Sequence, residues 1–196
     1  MVRLKKPFIL ASGSQRRQIL LRQMGIEFTV RESGVDEVFD SAKSPAENVV
    51  ELAERKALAV AASAQNAIIL GADTMVLLAG EVMNKPVNES DARRMLSALS
   101  GRIHKVFTGF ALVDMPSKAA VSGFEVTDVT FRKLSEREIV EYVASGSPMD
   151  KAGAYGIQDD FGATFVECID GCFYNVVGLP VSKFYTTLLK FQEQLG

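Results

Sequence analysis

Phe8-Ile9-Leu10-Ala11-Ser12-Gly13-Ser14-Gln15-Arg16-Arg17 runs from an apolar triplet, through small hydroxyl residues and a glycine, into Gln18-Ile19-Leu20-Leu21-Arg22-Gln23-Met24, which Gly25 closes. The order predicts a buried strand turning into a helix N-terminus. Unpaired N–H groups and the positive end of the helix dipole favour an anion there. Gly13 lets a ligand come close to the backbone, and Ser12 or Ser14 can cap the helix or bond a phosphate oxygen. Arg16 and Arg17 fall in the first turn, where the dipole favours acids, so the pair is locally unfavourable without a polyanion. The competing reading is a capped surface helix with two solvated arginines.

Outward from this stretch, 196 residues allow one domain, or two lobes around a shared sheet, with a proper core. The net charge of −2 gives no global attraction to nucleic acid, so a polyanion site must be local. No apolar run is long enough to span a bilayer, and no signal-peptide pattern follows the basic N-terminus, so we expect a cytoplasmic protein without membrane contact. Cys168 and Cys172, with His104 the single histidine, do not make an ordinary zinc site and are expected to be reduced, partly buried thiols.

Ser44-Pro45-Ala46-Glu47 is a capping box with proline at the first helical position, and the following apolar stripe predicts a helix facing the core. Lys56 emerges beside that stripe, either snorkelling or pointing into a cleft. Asp36 and Glu37 lie in a polar loop and read as solvated unless other carboxylates converge there. Ala67–Leu78 is the near-continuous apolar run of a strand buried on both faces, and Asp73 interrupts it. A carboxylate buried there needs a cation or a set of hydrogen bonds, which marks a metal ligand, a general base, or a bulge held by backbone. A hairpin follows through Ala79-Gly80, then Lys85-Pro86 and a helix capped by Asn88. Strands over 102–114 and 119–131 are expected next, with His104 a structural hydrogen-bonder rather than a catalyst. A helix is expected from Ser135, a strand over 161–169, and a last helix started by Pro180. Between them, Asp150-Lys151-Ala152-Gly153-Ala154-Tyr155-Gly156-Ile157-Gln158 fits a loop that wraps a ligand, with Gln158 suited to reading a base edge. Early alternation of strands and helices, then long hairpins, predicts an α/β protein with a mixed sheet.

Taken together, Leu10-Ala11-Ser12-Gly13-Ser14-x-Arg16-Arg17, Gly71-Ala72-Asp73-Thr74, Lys85-Pro86, 150–158 and Val177-Gly178-Leu179-Pro180 resemble the Maf family of nucleotide pyrophosphatases across essentially the whole chain. The resemblance implies an inosine-triphosphate-pyrophosphatase-like fold: an elongated mixed sheet forked into two lobes, with a nucleotide in the cleft. It also implies a homodimer, a divalent cation (Mg²⁺ or Mn²⁺), and hydrolysis of nucleoside triphosphates to monophosphate and pyrophosphate. Arg17, Thr74 and Gln158 match the branch acting on dTTP and UTP, whereas a 7-methyl-GTP branch carries tryptophan before arginine, Asp-Gln and a loop glutamate. Gln15 stands where the family usually has proline, a small expected loss of rigidity. On this basis Asp73 is expected as general base and metal ligand with Glu37 as its acidic partner. Ser12, Gly13, Ser14, Arg16, Arg17, Lys56, Thr74, Lys85, Lys151 and Gln158 are expected to bind substrate, with Arg17, Thr74 and Gln158 choosing the base. Two other classes are kept beside this one: a nucleotide-binding protein of septum formation without turnover, and a phosphatase releasing orthophosphate.

Overall fold

The computed structural model describes residues 4–158 and 161–196. Its strands are β1 (Phe8–Leu10), β2 (Thr29–Val30), β3 (Ala67–Leu78), β4 (Glu81–Met83), β5 (Ile103–Met115), β6 (Ala120–Phe131) and β7 (Val166–Asp170). The helices are α1 (Gln15–Gln23), α2 (Pro45–Ala61), α3 (Glu89–Leu99), α4 (Glu136–Ala144), α5 (Phe173–Val177) and α6 (Val181–Gln194). The strands hydrogen-bond in the order β2-β1-β3-β5-β6-β7, with β4 on β3. β1 is parallel to both neighbours, Ile9 standing between Thr29 and Ile69, whereas β4 and β7 pair antiparallel. The sheet is mixed, as the alternation of elements predicts. None of the described helices is long and apolar enough to cross a membrane.

The chain divides into two compact units, with β3, β5 and β6 contributing to both. The first takes the chain up to Asp73, then Thr108–Glu125 and Gly178–Gly196. Strand alternation gives it two apolar faces. On one, Ile9, Ala11, Ile69, Ala111 and Val113 pack on Ala53, Ala57, Val60 and Ala61 of α2. On the other, Phe8 and Phe110 meet Phe184 of α6 edge to face, with centroids 6.4 and 5.8 Å apart.

Helix α2 lies on the sheet at backbone contact. A β-carbon on Gly71 would lie 2.0 Å from the Ala53 carbonyl oxygen, and one on Gly109 would lie 2.4 Å from that of Val49. Only glycine fits at these two strand positions. The helix begins as its sequence predicts: Ser44 and Glu47 exchange side-chain-to-backbone bonds and Pro45 opens the first turn. Asn48 then secures the preceding loop, accepting from Asp40 N at 2.7 Å and donating to Asp40 O at 2.9 Å.

The second unit comprises Thr74–Phe107 and Val126–Val177. Its centre is an aromatic cluster in which His104, Phe131 and Tyr155 meet edge to face and Phe165 packs on Phe131 and Tyr142. His104 Nε2 shares a hydrogen bond with the Tyr155 hydroxyl at 2.8 Å, and Nδ1 is buried without a partner among the described residues. The histidine is structural, as expected. Burial holds its imidazole down to about 4, against the weaker pull of Asp128, and burial pushes the Tyr155 phenol up.

Three stretches depart from the expected elements. The strand expected over 161–169 is a strand only from Val166; Phe161–Phe165 is a 3₁₀ turn. There Phe161 and Phe165 meet edge to face with centroids 5.8 Å apart, and a β-carbon on Gly162 would meet the Tyr142 hydroxyl at 2.6 Å. Close packing on α4 thus overrides an extended reading. Residues 173–177 form α5, which composition hides because Asn175 and two valines are weak helix formers. Asn175 Nδ2 anchors it, donating to Val106 O and Thr127 Oγ1, both at 2.9 Å. Pro180 caps α6 instead of opening it, a shift of one residue. Both cysteines are free, but Cys168 is exposed and Cys172 half-buried, so only the latter is a partly buried thiol.

Two outcomes follow from this packing. Gly71→Ala drives a methyl group into the Ala53 carbonyl and is expected to cost about 3 kcal/mol, or to prevent folding, as read from urea denaturation. His104 is neutral in the folded state at neutral pH. Its contribution is therefore complete above the unfolded value of about 6.5 and is lost as pH falls towards the folded value. With the folded value about 4, the loss is about 3 kcal/mol. His104→Gln should remove this part of the acid sensitivity, seen in urea midpoints at pH 7 and pH 4.5.

Candidate active site

In the first unit, Leu10 and Ala11 end the buried strand and the chain turns through Ser12-Gly13-Ser14 into α1. Ser14 caps the helix, accepting from Arg17 N, and Ser12 Oγ accepts from Ser14 N at 3.3 Å. Arg17 does not face solvent. It is buried, its Nε donates to Gly178 O at 2.9 Å and its Nη1 to Ser12 Oγ at 3.0 Å. Burial pulls its guanidinium below the usual value, while Asp73 and Glu37 act in the opposite sense. Arg16, half-buried beside it, carries the second charge of the pair. Gly13 is exposed, and a β-carbon there would meet Glu32 Oε1 at 2.5 Å, so Glu32 leans over the backbone of this turn.

Asp73 lies on β3 two residues beyond Gly71, and therefore on the same face. Because α2 touches the sheet at Gly71, Lys56, next to Ala57 on that helix, reaches Asp73. Its Nζ donates to Asp73 Oδ1 at 2.6 Å and to Glu37 Oε1 at 2.7 Å. Lys56 is 5 % exposed and Asp73 4 %, so this is a cleft lysine and not a snorkelling one. Burial pushes the Asp73 carboxyl up from its ordinary value, and Lys56 and Arg17 oppose that push. Glu37, which sequence leaves solvated unless carboxylates converge, is at such a convergence. Its loop is tied to α2 through Asn48 and through Arg55, whose Nη2 donates to Asp36 O at 3.4 Å.

Asp73 Oδ2 is buried and has no partner among the described residues. A buried carboxylate oxygen in that condition fits a hard cation or a reactive water. Asp73 and Glu37 could supply two oxygens to a divalent ion. Among the described residues no group of three or more His, Cys, Asp or Glu forms a cage. Two carboxylates with phosphate and water completing the shell is the usual protein share for Mg²⁺. Arg16, Arg17 and Lys56 are matched in number by Glu37, Asp73 and the Glu32 that leans over the turn, so attraction for an anion is local to the N–H groups and hydroxyls at the start of α1.

The other expected residues belong to the second unit. Thr74 follows Asp73 on the opposite face of β3 and is half-buried. Lys85 is exposed after β4. Gly153 N donates to Asn84 O at 3.2 Å, which ties the residue before Lys85 to the segment after Lys151. One 3₁₀ turn, Ser147–Asp150, precedes Lys151 and another, Ala152–Ala154, follows it, with Tyr155 anchored to His104. Lys151 Nζ donates to Ser147 O at 2.6 Å and to Asp150 Oδ1 at 2.8 Å, so it braces its own loop. Gln158 is half-buried, and its Nε2 has no partner among the described residues. Sequence reasoning passed over the Gly178 carbonyl that Arg17 grips, since a backbone acceptor leaves no side-chain signal. It also passed over Gly71 as the contact that delivers Lys56, although a lone glycine in an apolar strand is a recognised sign of close approach.

Arg17→Met leaves the Gly178 carbonyl and the Ser12 hydroxyl without their buried donor. Thermal denaturation should show a loss of about 2–3 kcal/mol, with Arg17→Lys recovering part of it.

The chain matches the family described as Maf-like protein over residues 7–191. It is 45% identical to the dTTP/UTP pyrophosphatase of Desulforamulus reducens, covering 97% of this chain and 99% of the relative. To the dTTP/UTP pyrophosphatase of Pelotomaculum thermopropionicum it is 46% identical, covering 95% and 97%. Among solved structures, a HAM1 protein from Coxiella burnetii is similar with a TM-score of 0.49 and 17% identity, over 94% of this chain and 98% of that one. With identities at this level over nearly full length, the chain belongs to the Maf-like protein family.

Proposed function

We propose that the protein hydrolyses dTTP and UTP between the α and β phosphates, giving the nucleoside monophosphate and pyrophosphate. The observation that carries this is Asp73: a buried carboxylate, braced by Lys56, with one oxygen open, beside a turn rich in anion donors. The names of the relatives supply the reaction and the substrates. Ser12, Ser14 and the N–H groups at the start of α1 bind phosphate oxygens, and Gly13 admits them to the backbone. Arg16 and Lys56 neutralise their charge, with Lys85. Arg17 holds Ser12 in place and adds its field.

Asp73 is the general base: its open oxygen orients the attacking water and takes its proton. Glu37 and Asp73 would hold a divalent cation, which when bound supplies charge neutralisation on the phosphate oxygens. Base choice falls to Thr74 and Gln158. A uracil or thymine edge offers neutral acceptors and one N–H donor, and the carboxamide of Gln158 presents both complements, its Nε2 unpaired among the described residues. A 7-methylguanine ring, carrying positive charge, lacks a matching carboxylate at this position. The homodimer rests on the family resemblance, the cytoplasmic location on the sequence pattern with its reduced cysteines, and the lack of a nucleic-acid partner on the net charge of −2 and the buried Asp73.

Asp73→Asn should lower turnover of UTP by about two to four orders of magnitude without unfolding the protein. Turnover near the wild-type rate would remove Asp73 from its role. Gln158→Glu should reduce hydrolysis of UTP and dTTP more than that of purine nucleotides. Ion chromatography of the products separates pyrophosphate from orthophosphate and so tests the phosphatase alternative. A protein that binds nucleotide but releases neither would be the septum-formation class.

A further inference from the structure

Lys56 does more than the phosphate-binding role implies. One ammonium reaches both carboxylates proposed to hold the divalent cation, at 2.7 Å from Glu37 Oε1 and 2.6 Å from Asp73 Oδ1. The ammonium is nearly inaccessible to water, and so is the Asp73 carboxylate. The Lys56–Asp73 pair is weakly screened at that range and depth, whereas Glu37 reaches it from an exposed loop, its side chain 42% accessible. A dication on the same two side chains would share their oxygens with Nζ, or would stand within a few ångströms of it through the open Oδ2. In both arrangements the lysine opposes the metal.

We infer that Lys56 is the built-in counter-ion of Glu37 and Asp73 in the nucleotide-free enzyme, so that the divalent cation binds with the triphosphate and not ahead of it. The inference rests on the proposed reading of Glu37 and Asp73 as the metal-holding pair. The lysine keeps the two acids assembled when no nucleotide is present, and without it Asp73 would be a buried anion lacking its nearest partner. When a triphosphate enters, its oxygens offer Nζ a second, more highly charged set of acceptors. The carboxylate oxygens are then free for the cation that the nucleotide carries. Lys56 is in this sense a positioning residue for the metal as well as a ligand for phosphate. The backbone contact of α2 with Gly71 fixes where its stem begins, and the flexible four-carbon chain lets Nζ turn from carboxylate to phosphate.

The test is Mn²⁺ binding to the nucleotide-free protein, followed by loss of the electron paramagnetic resonance signal of the free ion. Wild type should bind weakly. Lys56→Met should bind at least about tenfold more tightly, the scale of removing one poorly screened charge at this distance. Lys56→Gln keeps length and a neutral donor, and gives the same comparison if the methionine variant folds only with metal. Adding Glu37→Gln to either variant should abolish the gain. Equal or weaker Mn²⁺ binding in both lysine variants would overturn the inference. The UTP assay, being separate, decides the enzymatic reading on its own, so failure of one is distinguishable from failure of the other.

Discussion

An ammonium closed in between two carboxylates, one of them inside a β-strand, is the constraint on which the first unit depends. Asp73 is the one charged residue in the twelve-residue strand β3, and an isolated carboxylate there would cost several kcal/mol. The strand tolerates it because Lys56 is delivered from α2, and α2 delivers it because Gly71 and Gly109 let helix backbone rest on strand backbone. Each step needs the one before. The capping box at Ser44 fixes where the helix begins, and thus which residue of the stripe stands above Asp73. Asn48 fixes the loop that brings Glu37.

Arg17 repeats this logic on the other side of the same cluster. It is a buried cation that donates to the Gly178 carbonyl and the Ser12 hydroxyl, with Asp73 and Glu37 near enough to favour its charge. The anion-binding turn is therefore not a surface feature of α1 alone. It is held from below, at the place where the chain passes from α5 to α6.

Most of the elements were legible because their signals are local. Ser44 with Glu47, Asn88 and Ser135 mark helix starts through short-range bonds that any context preserves, and the apolar run over 67–78 is long enough to be a buried strand and little else. Asp73 was legible for the opposite reason: it breaks its surroundings. What stayed hidden was non-local. Nothing in Phe173–Val177 asks for a helix until Thr127 and Val106 are beside Asn175. Phe161–Phe165 looks extended until Tyr142 packs against Gly162. The ambivalence of Lys56 was resolved by Gly71, fifteen residues away, and the inward turn of Arg17 by a carbonyl that carries no side-chain signature.

The face shared by α2 and the sheet is made largely of alanine and glycine. Such residues have few or no side-chain rotamers to lose on folding, although each glycine gives up more backbone freedom than any other residue. They also have almost no alternative way to pack. The register of Lys56 over Asp73 is therefore written in main-chain geometry and does not drift as side chains reorganise with temperature. A larger-residue interface could be repacked by many sequences; this one admits few, and it trades tolerance of substitution for a fixed spacing between the helix and the strand that carry the two charges.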